Sequence, residues 1–161
     1  MKTLVIGLPK SGKTTYVQNM PGKWLAYDLD YLAAAFRLCE PHAERDGSAR
    51  QMANDLLYGF IDNAERYAEN VFIIRAAPST EELLAIMPDV LVVMRTRYHD
   101  DRADDAPIDA KTARDKIDNS IEIAKSYGWK IKIITSRPPL LENLGVEGPG
   151  RGNSFQMRGI F

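Results

Sequence analysis

Residues 3–20 read Thr3-Leu4-Val5-Ile6-Gly7-Leu8-Pro9-Lys10-Ser11-Gly12-Lys13-Thr14-Thr15-Tyr16-Val17-Gln18-Asn19-Met20. A short apolar run from Thr3 ends at Gly7, and a helix-compatible run begins at Lys13. Between them, Gly7 to Thr14 spell the full pattern G-x-x-x-x-G-K-[ST], the P-loop or Walker A sequence. The chemistry needs each part. Glycines let the chain curl so that several backbone N–H groups point at one anion. The helix that follows aims its positive end at the same place. Lys13 reaches the outer phosphates of a nucleoside triphosphate, and the Thr14 hydroxyl can ligate Mg²⁺. The expected nucleotide-binding residues are Gly7, Pro9, Lys10, Ser11, Gly12, Lys13, Thr14 and Thr15, with ATP and Mg²⁺ as cofactors.

Outward from this loop, short β-rich runs alternate with helical stretches, the mark of an α/β fold with a parallel sheet. Strands are expected over Thr3–Ile6, Trp24–Tyr27, Val71–Ile74, Val90–Met94 and Ile131–Thr135. The first helix runs from Lys13 to about Met20, before the break at Pro21-Gly22. A short one opens at Asp28-Leu29-Asp30 and continues through Arg37. The clearest lies over 49–68. There Ala49, Met52, Ala53, Leu56, Leu57, Phe60, Ile61, Ala64, Tyr67 and Ala68 share one face, which reads as core packing. Ser79 and Glu82 form a capping box for a helix ending at Pro88. The last helix starts near Pro107 and stops at Gly128.

The 161 residues suit about one domain. With 45% hydrophobic and 27% charged residues, the chain is neither wholly disordered nor a coiled coil nor a collagen-like fibre. A net charge of −1 gives no wholesale basic surface, so nucleic acid as a partner stays open but is not indicated. No apolar run reaches membrane-spanning length, and the first run is too short for a signal peptide. A single cysteine, Cys39, closes no internal disulfide and fits a reducing compartment. The expected setting is cytoplasmic and away from membranes. From Gly145 the composition turns to Gly, Pro, Arg, Asn and Ser. The expected division is therefore a domain over 1–144 and a flexible tail over 145–161.

P-loop ATPases usually carry a carboxylate at the end of a later apolar strand. Here those strands run into Arg75 and Arg95. Strand two, by contrast, ends at Asp28 and Asp30, and in open α/β sheets ligands lie beyond the carboxyl ends of strands. Arg75 in an apolar strand needs an anion or a carboxylate, from phosphates or from Asp28 or Asp30. Asp30 reads either as a catalytic or metal-side carboxylate or as a plain N-cap. His42, His99 and Cys39 lack metal-ligand spacing and read as non-catalytic.

The loop Gly7–Thr14, the Asp28-Leu29-Asp30 turn and an arginine-bearing segment before the penultimate helix together resemble small P-loop kinases. The group includes adenylate kinase, polynucleotide 5′-kinase, zeta-toxin-type kinases and bacteriophage relatives. The resemblance spans roughly 2–139 and is specific at the loop. It implies a three-layer P-loop NTPase domain, with a five-stranded parallel sheet in the order 2-3-1-4-5 and helices on both faces. It also implies an ATP-dependent kinase whose acceptor is a small molecule or nucleotide. Asp30 matches the general base, and Thr14 with Asp30 would serve the metal. The arginine that binds an acceptor phosphate in the polynucleotide kinase branch falls on Ala33 here, with Arg37 one turn further along. A lid over 95–105 would supply Arg95, Arg97 and Arg102, with Arg97 the catalytic candidate beside Lys13 and Asp30. The other reading is a P-loop ATPase or nucleotide-binding module of a phage recombination or DNA-processing system. Oligomeric state is left open.

Overall fold

The computed structural model describes residues 1–38, 47–95 and 110–136. Five strands form one parallel sheet: β1 (Lys2–Gly7), β2 (Trp24–Asp28), β3 (Asn70–Arg75), β4 (Val90–Met94) and β5 (Lys130–Ile134). Their spatial order is β2-β3-β1-β4-β5, as expected. β1 lies at the centre, with Ile6 level with Arg75 of β3 and Gly7 level with Met94 of β4. The Gly7–Thr14 loop therefore leaves the sheet where the strand order divides, the usual place for a ligand in such sheets.

The helices are α1 (Lys13–Gln18), α2 (Leu29–Arg37), α3 (Gly47–Asn63), α4 (Thr80–Ile86) and α5 (Ala110–Ser126). Alternate strand residues feed two apolar layers. Leu4, Ile6, Ile73, Leu91 and Val93 meet α3, α4 and α5 on one face. Val5, Phe72, Ile74, Val92 and Met94 meet Tyr16 and Val17 of α1 on the other. Helices thus cover both faces. β1, β3 and β4 are apolar without alternation because both of their faces are buried. No helix among the described residues is long and apolar enough to cross a membrane.

Local signals act as expected at several ends. Ser79 Oγ accepts from the Glu82 amide at 3.2 Å and caps α4. At the end of α5, Gly128 sits at φ 70°, and Trp129 N–H closes onto Ala124 O at 2.9 Å. The helix expected over 49–68 is corrected at both ends. It begins at Gly47 and breaks at Asn63, whose side-chain amide donates back to Gly59 O at 2.8 Å, and a 3₁₀ turn follows over Ala64–Arg66. Its apolar face is also narrower than expected. Ala49, Ala53, Leu57, Ile61 and Ala64 are buried, whereas Met52, Leu56 and Tyr67 are exposed, Tyr67 at 79%. The buried stripe steps almost uniformly by four, so residues three positions away fall off its edge. The proposed tail over 145–161 lies outside the described residues.

Candidate functional site

The loop between β1 and α1 is held by its own backbone. Gly7 N–H donates to Ala76 O at 3.1 Å, and Ser11 N–H closes a turn onto Leu8 O at 3.2 Å. Lys10 and Gly12 both take left-handed backbone, at φ 60° and 89°. Gly7 has another reason to be glycine. A Cβ there would meet Met94 O at 2.7 Å, with Met94 Cβ and Ser11 Oγ each at 2.8 Å. The first turn of the six-residue helix α1 has no side-chain cap and no acidic residue of its own; the carboxylate that reaches it is that of Asp28, on the Thr14 hydroxyl.

Lys13 folds over the loop it belongs to. Its Nζ donates to Gly7 O at 2.9 Å and to Leu8 O at 2.8 Å. Burial pulls its pKa down to about 8, while the charges of Asp28 and then Asp30 pull the other way. An amine held over the loop, with carboxylates nearby, is placed to trade these carbonyls for phosphate oxygens.

The two aspartates at the end of β2 and the start of α2 divide their duties. Asp28 is the N-cap of α2, its Oδ1 accepting from Asp30 N–H at 3.1 Å. Its other oxygen accepts from Thr14 Oγ1 at 2.8 Å. Asp30 lies within the first turn of α2, 38% exposed, and pairs with Arg50 of α3 at 3.3 Å. The capping role read as an option for Asp30 therefore belongs to Asp28, because the chain turns helical two residues earlier. Of the two, Asp28 is the one placed on the Thr14 hydroxyl.

Arg75 has the carboxylate it needs, but from neither Asp28 nor Asp30. It forms an ion pair with Glu82 of α4 and donates to Asn54 Oδ1 at 3.1 Å. The pairing follows from β3 alternation, which turns residue 75 to the same side as Ile73, toward α3 and α4. It also explains why the Glu82 side chain serves Arg75 in place of closing a capping box. Arg95 pairs with Asp118 of α5. Arg97, Arg102, His99, His42 and Cys39 lie outside the described residues. A concavity lined by Gly22, Lys23, Tyr67 and Asn70 sits at the amino ends of β2 and β3, away from this chemistry.

Sequence reasoning named Lys13, Thr14, Asp28 and Asp30 but missed Arg50 and Asn54. Their only signal is their spacing: one turn apart, they put two polar groups on the α3 face that meets the strand ends. Oxygen donors such as the Thr14 hydroxyl and Asp28 carboxylate suit Mg²⁺, which takes one or two carboxylates and leaves the rest to phosphates and water. Among the described residues, no group of three or more His, Cys, Asp or Glu side chains gathers for a metal held by the protein alone. The chain matches no protein-family model and no curated protein.

Proposed function

We propose that the chain is a P-loop NTPase-type enzyme that moves the γ-phosphate of Mg²⁺·ATP to a hydroxyl or phosphate acceptor. One observation carries the reading: the full P-loop pattern occupies the first βα turn of a parallel sheet, with Lys13 Nζ held over the loop carbonyls. The loop wraps the phosphates from Gly7 to Thr15, and its backbone amides from Gly12 to Thr15, at the start of α1, hold phosphate oxygens. Lys13 takes the charge that develops on the transferring group. Mg²⁺, when bound, offsets phosphate charge and aligns the β- and γ-oxygens. Asp30, half exposed, accepts the proton of the acceptor hydroxyl, and Arg50 fixes its carboxylate in place. Arg97, outside the described residues, belongs to this reading as the candidate catalytic arginine.

Equilibrium binding tests the reading. The wild-type chain binds Mg²⁺·ATP, and Lys13→Ala weakens that binding severely while leaving the far-UV spectrum unchanged. Unchanged affinity in the variant refutes the loop assignment. A radiolabelled ATP transfer screen over nucleosides, nucleotides, sugars and polynucleotide ends then identifies the acceptor.

The Thr14–Asp28 contact supports a second reading, a P-loop ATPase of a recombination or DNA-processing system, because it gives the loop hydroxyl a strand-end carboxylate. Stimulation of ATP hydrolysis by single-stranded DNA, without transfer to any acceptor, selects it.

A further inference from the structure

The strands beside β1 are β3 and β4, and a carboxylate at the end of such a strand usually steadies the Mg²⁺ of a P-loop. Neither supplies one. β3 ends in Arg75, already committed to Glu82 and Asn54, and β4 ends in Met94 followed by Arg95. Among the described residues, the carboxylate that closes a strand is Asp28, on β2, one strand further from the loop. It nevertheless reaches the loop, accepting the Thr14 hydroxyl at 2.8 Å.

That hydrogen bond has a chemical consequence. A threonine hydroxyl has one proton and two lone pairs. With the proton committed to Asp28, the oxygen presents only lone pairs to whatever lies on its other side, the condition a hard cation requires. The carboxylate cannot easily swing away, because its second oxygen caps α2 through Asp30 N–H at 3.1 Å.

We propose that Asp28, in place of a residue on β3, is the carboxylate that serves the Mg²⁺ of the ATP site, acting through and beside Thr14. The proposal rests on the P-loop reading above. It assigns the two aspartates separate tasks, Asp28 to the cation and Asp30 to the acceptor.

The test is calorimetric titration with ATP, once in excess EDTA and once in Mg²⁺, giving the tightening that the cation confers. Asp28→Asn keeps size and capping ability while removing the charge. It loses roughly 10- to 100-fold of the Mg²⁺-dependent tightening, the worth of one interaction with a charged group, and keeps its EDTA affinity. Asp30→Asn retains the tightening within about threefold. Should Asp28→Asn fold poorly, Asp28→Ser keeps a capping oxygen, is too short to meet Thr14 in the same way, and shows the same loss. Wild-type tightening in a folded Asp28 variant overturns the proposal, as does its loss in Asp30→Asn alone. A wild-type chain that binds no ATP in either buffer refutes the P-loop reading itself, and the proposal falls with it.

Discussion

Gly7 has no side chain because none fits between β1 and β4. Gly7→Ala drives a methyl group into the Met94 carbonyl at 2.7 Å, and backbone cannot step aside as a flexible side chain does. The expected result is a loss of about 2–3 kcal/mol in urea unfolding, together with weakened nucleotide binding. Lys13 makes a different kind of prediction. Its pKa falls from 10.5 in the unfolded chain to about 8 in the fold. Between those values the unfolded chain binds more protons, so stability of the ligand-free protein rises with pH across that window. Below it, the full penalty of burying the ammonium is present. Lys13→Met therefore unfolds at higher urea than wild type near neutral pH, and its advantage shrinks as pH climbs toward 10.5. Chemical denaturation at several pH values measures both slopes; parallel curves contradict the burial of a charged amine. Asp30→Asn is expected to lower phosphoryl transfer by about 10²–10⁴-fold with little change in ATP affinity or stability. A wild-type transfer rate removes Asp30 as the base.

α3 is fastened to the sheet by polar contacts as well as by its narrow apolar stripe. Tyr27, buried in β2, donates its hydroxyl to Ala53 O, and burial pushes its pKa up to about 12. One residue along, Asn54 holds Arg75, which in turn pairs with Glu82 of α4. Arg75 and Glu82 are 16% and 14% exposed, so removing one partner strands the other in a largely apolar setting. Arg75→Met is expected to cost roughly 2–4 kcal/mol, and the Arg75→Met/Glu82→Met pair less than the sum of the single changes. Thermal unfolding of the four-member cycle checks this; strict additivity shows the pair to be uncoupled. These contacts also mark where the sequence stopped being readable. Strand β4 is legible to its last residue because a buried parallel strand is simply an apolar run between breakers. The tight Gly7–Thr14 turn from β1 into α1 is legible because its demands are local. The partner of Arg75 is not, since it depends on which face of β3 the residue takes and on which helix covers that face. The Thr14–Asp28 contact is equally non-local: the pattern shows two aspartates after β2 but not which one the sheet carries to the loop. Arg50 has no signature of its own, being one charged residue on a helix until α3 meets α2.

The molecule as a whole is a sheet whose middle is dry and whose margins are wet. β1, β3 and β4 are almost entirely buried, while β2 and β5 each present several exposed residues. Native-state amide exchange should therefore be slowest in the three central strands and fastest, among strands, in β5 and β2. Equal protection across all five strands would contradict that gradient. Both apolar layers share the central strands, so unfolding is expected to be one cooperative transition, the same by fluorescence and by far-UV circular dichroism. The strand order also bears on how the protein is made. β1 and β2 come first along the chain yet are not neighbours, and β3 is the strand that joins them. Gly7, Lys13, Thr14, Asp28 and Asp30 have thus all been synthesised before β3 arrives at Asn70–Arg75. At translation rates of about 5–20 residues per second, the nascent chain waits for roughly two to nine seconds with its candidate site residues complete but unassembled. Throughout that interval the first apolar strand has no sheet partner, since β3 and β4, the two strands it pairs with, both come later in the chain.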